Sequence, residues 1–213
     1  MHFLPEALEN YISLHSQNEP DILRELTRET HLKVVQPRMI TGHYQGRVLS
    51  MLSKLIQPGR ILEIGTYTGY SAICLAEGLT NDGLLHTIDI NEELSEIQRK
   101  FFDRSEFGDK IIQHTGDALK IIPELDQVFD LVFIDAEKKM YDAYFEAVIE
   151  KTRPGSIILT DNVLWSGKVV EPLDKKDMVT RNLLAYNEKL KNDPRVETVI
   201  LSIRDGLSLC RVL

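Results

Sequence analysis

The pattern of apolar positions changes character near residue 60. Before it, apolar residues recur at helical spacing in Leu8, Tyr11 and Ile12, in Ile22, Leu23 and Leu26, and in Val48, Leu49, Leu52, Leu55 and Ile56. A helix of 3.6 residues per turn lays such a stripe against a core. Pro20 and Pro37 punctuate these segments, as helix boundaries do. Beyond Arg60 come short apolar runs at 61–64, 84–88, 111–113, 129–134, 157–159, 196–201 and 207–212, most of them rich in β-branched residues. Bounded by turn residues, they read as seven strands. Helices are expected over 70–79, 92–107, 118–125, 140–152 and 179–191, so the first five strands alternate with helices. That alternation predicts an α/β fold with a doubly wound, mostly parallel sheet. Only residues 202–206 separate the last two runs, too few for a crossover helix, so these strands should form an antiparallel hairpin at the sheet edge. One domain is expected over residues 1–213, with a helical cap at 1–58 and a Rossmann-like core at 59–213.

Composition narrows the function classes. With 43% hydrophobic and 27% charged residues the chain is expected to pack a core. Its 25 basic and 33 acidic residues give a formal net charge of -8, which repels a polyanion and argues against nucleic acid as a partner. Cys74 and Cys210 each sit in an apolar run, where a thiol packs as a small hydrophobe, so neither a disulfide framework nor a thiolate metal site is expected. The first residues lack the basic and apolar regions of a signal peptide, and no segment is apolar enough for a bilayer span. A cytoplasmic location without a membrane partner is the expectation.

Chemistry concentrates at the ends of the predicted strands. Residues 61–71 run from a strand through Gly65-Thr66-Tyr67-Thr68-Gly69 into a helix, the place where doubly wound sheets bind nucleotides. Two glycines alone fit either a tight turn or a ligand loop. The spacing is G-x-x-x-G with Glu63 two residues before it, which suits a cationic ligand better than a dinucleotide diphosphate and speaks against a nucleotide-dependent dehydrogenase. Asp89 ends the next strand, placed either to accept from a ribose diol or to cap the following helix. His114 to Leu119 form a turn into a helix that can border an adenine ring, or serve only as an N-cap.

Strand four ends in Ile134-Asp135-Ala136-Glu137-Lys138-Lys139 and strand five in Thr160-Asp161-Asn162. Asp135, Asp161 and the Asn162 amide oxygen make an all-oxygen set, suited to Mg²⁺ and tolerated by Mn²⁺ or Ca²⁺ rather than Zn²⁺. Lys138 lies about one turn beyond Asp135, where its amine can reach the same pocket, whereas Lys139 reads as a solvated charge.

These residues resemble the cation-dependent class I S-adenosylmethionine O-methyltransferases, which include catechol and caffeoyl-coenzyme A methyltransferases. The likeness is carried by residues 63–71, 87–90, 133–138, 161–167 and 205–211. It implies a sheet in the order 3-2-1-4-5-7-6 with strand 7 antiparallel, and often a homodimer. It further implies that Thr41, Glu63, Gly65, Tyr67, Ser71, Asp89, Ala118, Asp135 and Glu137 contact S-adenosylmethionine. Asp135, Asp161 and Asn162 would hold the cation and Lys138 would be the base. Departures concern the acceptor: Ser166 stands where plant relatives acting on coenzyme A esters carry Asn, Glu137 replaces an Asp, and His43 is an unexpected imidazole.

The expected activity is methyl transfer to a hydroxyl of a small catechol-type molecule. A caffeoyl-coenzyme A ester is the alternative acceptor, and a non-catalytic nucleoside-binding module the alternative of another class. Chelation of two adjacent hydroxyls by the cation would acidify them and fix their geometry. Met39 and Trp165 are candidate walls for the ring beside Lys138, with Tyr141 weighed as a third and His43 as a second candidate base.

Overall fold

The computed structural model describes residues 4–213. Seven strands, β1 (Arg60–Ile64), β2 (Leu84–Asp89), β3 (Ile111–Thr115), β4 (Phe129–Ile134), β5 (Thr152–Asp161), β6 (Val196–Leu201) and β7 (Leu207–Val212), form one sheet in the order β3-β2-β1-β4-β5-β7-β6. β7 runs antiparallel to both neighbours, as Leu159 opposite Leu209 and Val199 opposite Leu209 illustrate. The remaining pairs are parallel. The order is the one the family resemblance implies, and the antiparallel β6–β7 hairpin is the one expected from the spacing of the last two runs.

The central strands are mostly apolar because helices cover both faces. One face packs against α6 (Ala118–Glu124), α7 (Tyr141–Ile149) and α8 (Met178–Asn192), through Ile122, Phe145, Val148, Leu183 and Tyr186. The other packs against α2 (Asp21–Lys33), α3 (His43–Ile56), α4 (Tyr70–Ala76) and α5 (Ser95–Arg104), through Leu23, Leu49, Ile73, Phe101 and Phe102. A first helix, α1 (Glu6–Leu14), buries none of its residues. No helix among the described residues is long and apolar enough to cross a membrane.

Several elements depart from the sequence reading: α4 and α7 end at Ala76 and Ile149, three residues before the expected ends, and β5 and α5 begin elsewhere than expected. β5 begins five residues earlier than the apolar run, because Thr152 already pairs with Phe129 before the register shifts between Phe129 and Leu131. Arg153-Pro154-Gly155 reads locally as a turn, and only the neighbouring strand makes it part of the sheet. α5 begins at Ser95 instead of residue 92, since the Asn91 side chain accepts from the Glu93 N–H at 3.0 Å and closes a 3-10 turn first.

Strand tips are held by a close backbone approach. Gly65 donates its N–H to Ile88 O of β2, and Asp135 donates its N–H to Ile64 O, both at 2.9 Å. Gly65 has φ 99°, and a Cβ there would lie 1.9 Å from the Asp135 carbonyl oxygen. No side chain fits both the dihedral and the gap. Gly65→Ala is expected to cost about 3 kcal/mol or more, measured by urea unfolding, because backbone strain and an overpacked contact add. A loss below about 1 kcal/mol would mean that the tips can separate freely.

On the β2–β3 edge, His86 Nδ1 and His114 Nε2 lie at hydrogen-bond distance, 3.0 Å, and their rings stack with centroids 5.2 Å apart. Burial, assisted by His114 and Arg60, pushes the His86 pKa down to about 4. Above its unfolded value near 6.5 the imidazole is neutral in both states. Between those values the unfolded chain takes up a proton that the folded chain refuses, so stability falls as pH falls through that window. Thermal melts at pH 7 and pH 5 should show a loss of about 1–2 kcal/mol that is reduced in His86→Phe. An identical pH slope in both proteins would assign the acid sensitivity elsewhere.

Candidate active site

The carboxyl ends of β1, β2 and β4 open into a cavity of about 870 Å³ whose wall includes Gly65, Tyr67, Asp89, Ala118, Asp135 and Glu137. Six of the expected cofactor residues are therefore brought to one space from four segments of the chain. Asp89 is fixed as an acceptor at the rim: its Oδ2 receives the Tyr67 N–H at 2.6 Å and its Oδ1 the Asn91 N–H at 2.8 Å. The pose serves both readings of this residue, since the carboxylate tethers a turn and still borders the cavity. Asp117 caps α6 through the Leu119 N–H at 3.0 Å, which sets Ala118 in the cavity wall.

Glu63 lies behind that wall and is fully buried. Thr87 Oγ1 donates to its Oε2 at 2.5 Å, while Oε1 is buried without a hydrogen-bond partner. Burial pushes the Glu63 pKa up to about 8, Asp135 and Asp89 add to the rise, and the Ser71 and Thr87 hydroxyls oppose it. A carboxyl with a spare buried acceptor and such a raised pKa favours a cationic group nearby. Ser71, in the first turn of α4, is buried in the same layer.

The β4 and β5 tips carry the second constellation. Ile134 pairs with Thr160 in parallel register, so Asp135 and Asp161 leave the sheet side by side. Asp161 is 3% exposed, and its backbone carbonyl accepts from the Tyr141 hydroxyl at 2.9 Å. Burial raises its pKa and Asp135 raises it further; Gln45, the Asn162 N–H and Lys138 act in the opposite direction. Asn162 takes φ 59°, and its N–H donates to Asp161 Oδ1 at 2.8 Å. Lys138 Nζ donates to Asp135 Oδ1 at 2.9 Å and lies 5.6 Å from the Tyr141 ring centroid.

Whether a divalent cation fits this place is decided by the donor chemistry. Two carboxylates one strand spacing apart destabilise each other's charge, and a cation between them removes that cost. No cluster of three His, Cys, Asp or Glu residues suited to a metal occurs among the described residues. The set therefore rests on two carboxylates and the Asn162 amide oxygen, hard donors that match Mg²⁺, Mn²⁺ or Ca²⁺. Glu137 stands apart from it, accepting the Lys139 N–H at 3.4 Å.

A second cavity of about 560 Å³ is lined by Arg38, Ile40, Thr41, His43, Asn162 and Asp205, among others. Asp135 thus fronts one cavity and Asn162 the other, and the oxygen set lies between them. Thr41, expected beside the cofactor, borders this second space. His43 is committed elsewhere, its Nε2 donating to Gln17 O at 2.7 Å.

Met39 lines the mouth of the first cavity and is half exposed, whereas Trp165, expected as a substrate wall, borders neither space. Trp165 and Ser166 take left-handed φ of 46° and 55°, and the indole packs partly buried against the core cluster that includes α8. Met140 and Tyr144 line the first cavity and went unread in the sequence. Their spacing of four residues at the start of α7 was the available signal. Non-glycine residues with positive φ gather around this region, at Tyr67, Asn162, Trp165, Ser166 and Arg204. Such strain persists where a structure is held for function.

A profile of the O-methyltransferase family matches residues 13–213. Caffeoyl-CoA O-methyltransferase of Petroselinum crispum is 35% identical, with 97% of this chain and 90% of the relative covered. Caffeoyl-CoA O-methyltransferase 2 of Zea mays is 38% identical over 91% of this chain and 77% of the relative. Among solved structures, the O-methyltransferase TomG from Streptomyces achromogenes, involved in tomaymycin synthesis and in complex with SAM, superposes with a TM-score of 0.89 at 32% identity, covering 97% of this chain and 96% of that one. The O-methyltransferase from Bacillus cereus in complex with SAH gives a TM-score of 0.89 at 29% identity, with 97% of each chain covered. A match across nearly the whole chain, a shared sheet order and a strand-tip site together establish that the chain belongs to the O-methyltransferase family.

Proposed function

We propose that this enzyme transfers the methyl group of S-adenosylmethionine to one hydroxyl of a vicinal dihydroxyphenyl group held by a divalent cation, Mg²⁺ first among the candidates. The observation that carries the reading is the side-by-side emergence of Asp135 and Asp161 between two cavities, with Asn162 completing an oxygen set. A caffeoyl ester and a free catechol present the same vicinal pair, so the relatives' named substrate and a small diphenol are recognised by one chemistry.

S-adenosylmethionine, when bound, supplies an electrophilic methyl on a sulfonium; the larger cavity, the free Oε1 of Glu63 and the Asp89 carboxylate fit a cationic nucleoside. The cation, when bound by Asp135, Asp161 and Asn162, lowers the pKa of the hydroxyls it holds. This chain's own residues do the rest. Asp89 accepts from a ribose diol while its two backbone donors hold it still. Gly65 lets the loop approach the ligand with no side chain between them. Lys138, tied to Asp135 within the site, gives up its own proton and as the neutral amine takes the proton of the reacting hydroxyl as the phenolate forms. Holding the nucleophilic oxygen on the methyl carbon contributes several kcal/mol, out of about 7–11 kcal/mol available to an ideally oriented pair.

Lys138→Ala should lower kcat by about 10²-fold or more while S-adenosylhomocysteine affinity, measured by calorimetry, stays within about two-fold. Wild-type kcat in that variant would remove Lys138 from the role of base. Chelator treatment should abolish turnover, with Mg²⁺ or Mn²⁺ restoring it, and Asp161→Ala should not be restored at the same ion concentration. Mass spectrometry of a panel of catechols, caffeoyl esters and monophenols should show methylation of the vicinal diols alone. Equal transfer to monophenols would sink the chelation reading.

A further inference from the structure

The turn between β6 and β7, residues 202–206, bridges two walls of the second cavity. On one side it fastens the segment that follows β5. The Leu164 N–H donates to Asp205 O at 2.9 Å, the Val163 N–H to Gly206 O at 3.1 Å, and the Ser166 N–H to the Asp205 carboxylate. Asn162, which lines the cavity, begins that segment. The fit is close, since a Cβ on Gly206 would lie 2.4 Å from Leu164 Cγ.

On the other side the turn reaches residues 40–45, which lead into α3. Arg204 Nη1 donates to Thr41 O, to Ile40 O at 3.3 Å and to Gln45 Oε1 at 3.1 Å. Ile40 and Thr41 are each 7% exposed and lie outside any helix or strand, so their carbonyls need a partner from elsewhere in the fold. One guanidinium, which has donors only, supplies it. Arg204 itself takes φ 46°, a conformation that suits glycine and strains a residue with a Cβ. Turn chemistry alone favours Gly or Asn at such a position. What the arginine side chain reaches, not the turn, therefore accounts for it.

We propose that Arg204 is a positioning residue for the acceptor: it ties residues 40–42 to the same turn that fastens the Asn162 segment, and so fixes the width of the space that receives the ring. This rests on the reading given above, with the cofactor in the larger cavity and the acceptor in the smaller. Ile40, Thr41, Asn162, Arg204 and Asp205 line the smaller space together. Released from the hairpin, residues 40–42 leave the ring with one loose wall, whereas Gly65 and Asp89 hold their places on β1 and β2 through contacts of their own.

Arg204→Gly separates this role from a purely structural one, because glycine relieves the left-handed strain while removing the guanidinium. With Mg²⁺ present, KM for a small catechol should rise about five-fold or more, the order expected from losing hydrogen bonds to a charged group, and kcat should fall less than KM rises. S-adenosylhomocysteine affinity, measured by calorimetry, should stay within about three-fold of wild type, and the thermal midpoint within about 4 °C. Arg204→Lys, which keeps a cationic donor, should recover part of the KM. Amide hydrogen exchange of the ligand-free chain should quicken over residues 38–46 in Arg204→Gly. Unchanged KM, unchanged exchange in that segment, or an equal loss of cofactor affinity would each overturn the assignment. If Arg204→Gly does not fold, Arg204→Met is read by the same three measures. A wild-type chain that methylates no catechol would overturn the acceptor reading itself, and the exchange comparison would then still decide whether Arg204 holds the segment.

Discussion

Two carboxylates are carried out of the sheet on neighbouring strands, and the site is organised around that repulsion. The parallel register of β4 and β5 leaves Asp135 and Asp161 adjacent, and burial of Asp161 removes much of the water that would screen the pair. The charge is moderated by Lys138 on Asp135 and by the Asn162 N–H on Asp161. These contacts are partial, which is the condition the proposed cation site requires: anionic enough to attract an ion, and ordered enough to receive it.

The same sheet geometry makes the rest of the pocket. Parallel strands end at one edge, so a loop after β1, an acid after β2 and the turn after β4 meet there without any long-range design of their own. The approach of Gly65 to the Asp135 carbonyl links the cofactor loop directly to the strand that carries a proposed metal ligand. A displacement of one tip is therefore felt at the other, and stability and function share a single packing contact. Helices on both faces then bury the strands so fully that the tips cannot drift with solvent.

Much of the site is legible in the chain because each feature is a residue type at a strand end. Alternation of short apolar runs with amphipathic stretches predicts the sheet, and residues just beyond four of the runs, Gly65, Asp89, Asp135 and Asp161, are then placed at one edge by topology alone. The first half of β5 is not legible, because Pro154 and Gly155 mimic a turn that only pairing with β4 converts to strand. Nor is the direction of Trp165, since left-handed backbone at Trp165 and Ser166 depends on the turn docking against Asp205, whose carboxylate accepts the Ser166 N–H.

Local pattern thus determined the strands, their tips and the chemical type of each donor, because those depend on residue identity and on spacing within a few residues. Tertiary structure alone decided which donors face which cavity, that Thr41 borders the second space, and that Gln45 and Arg204, 159 residues apart in the chain, meet. Contacts of that separation are set by how helices and hairpins pack on the sheet. No short-range pattern encodes that packing, since the free energy that fixes it comes from buried surface spread over the whole fold.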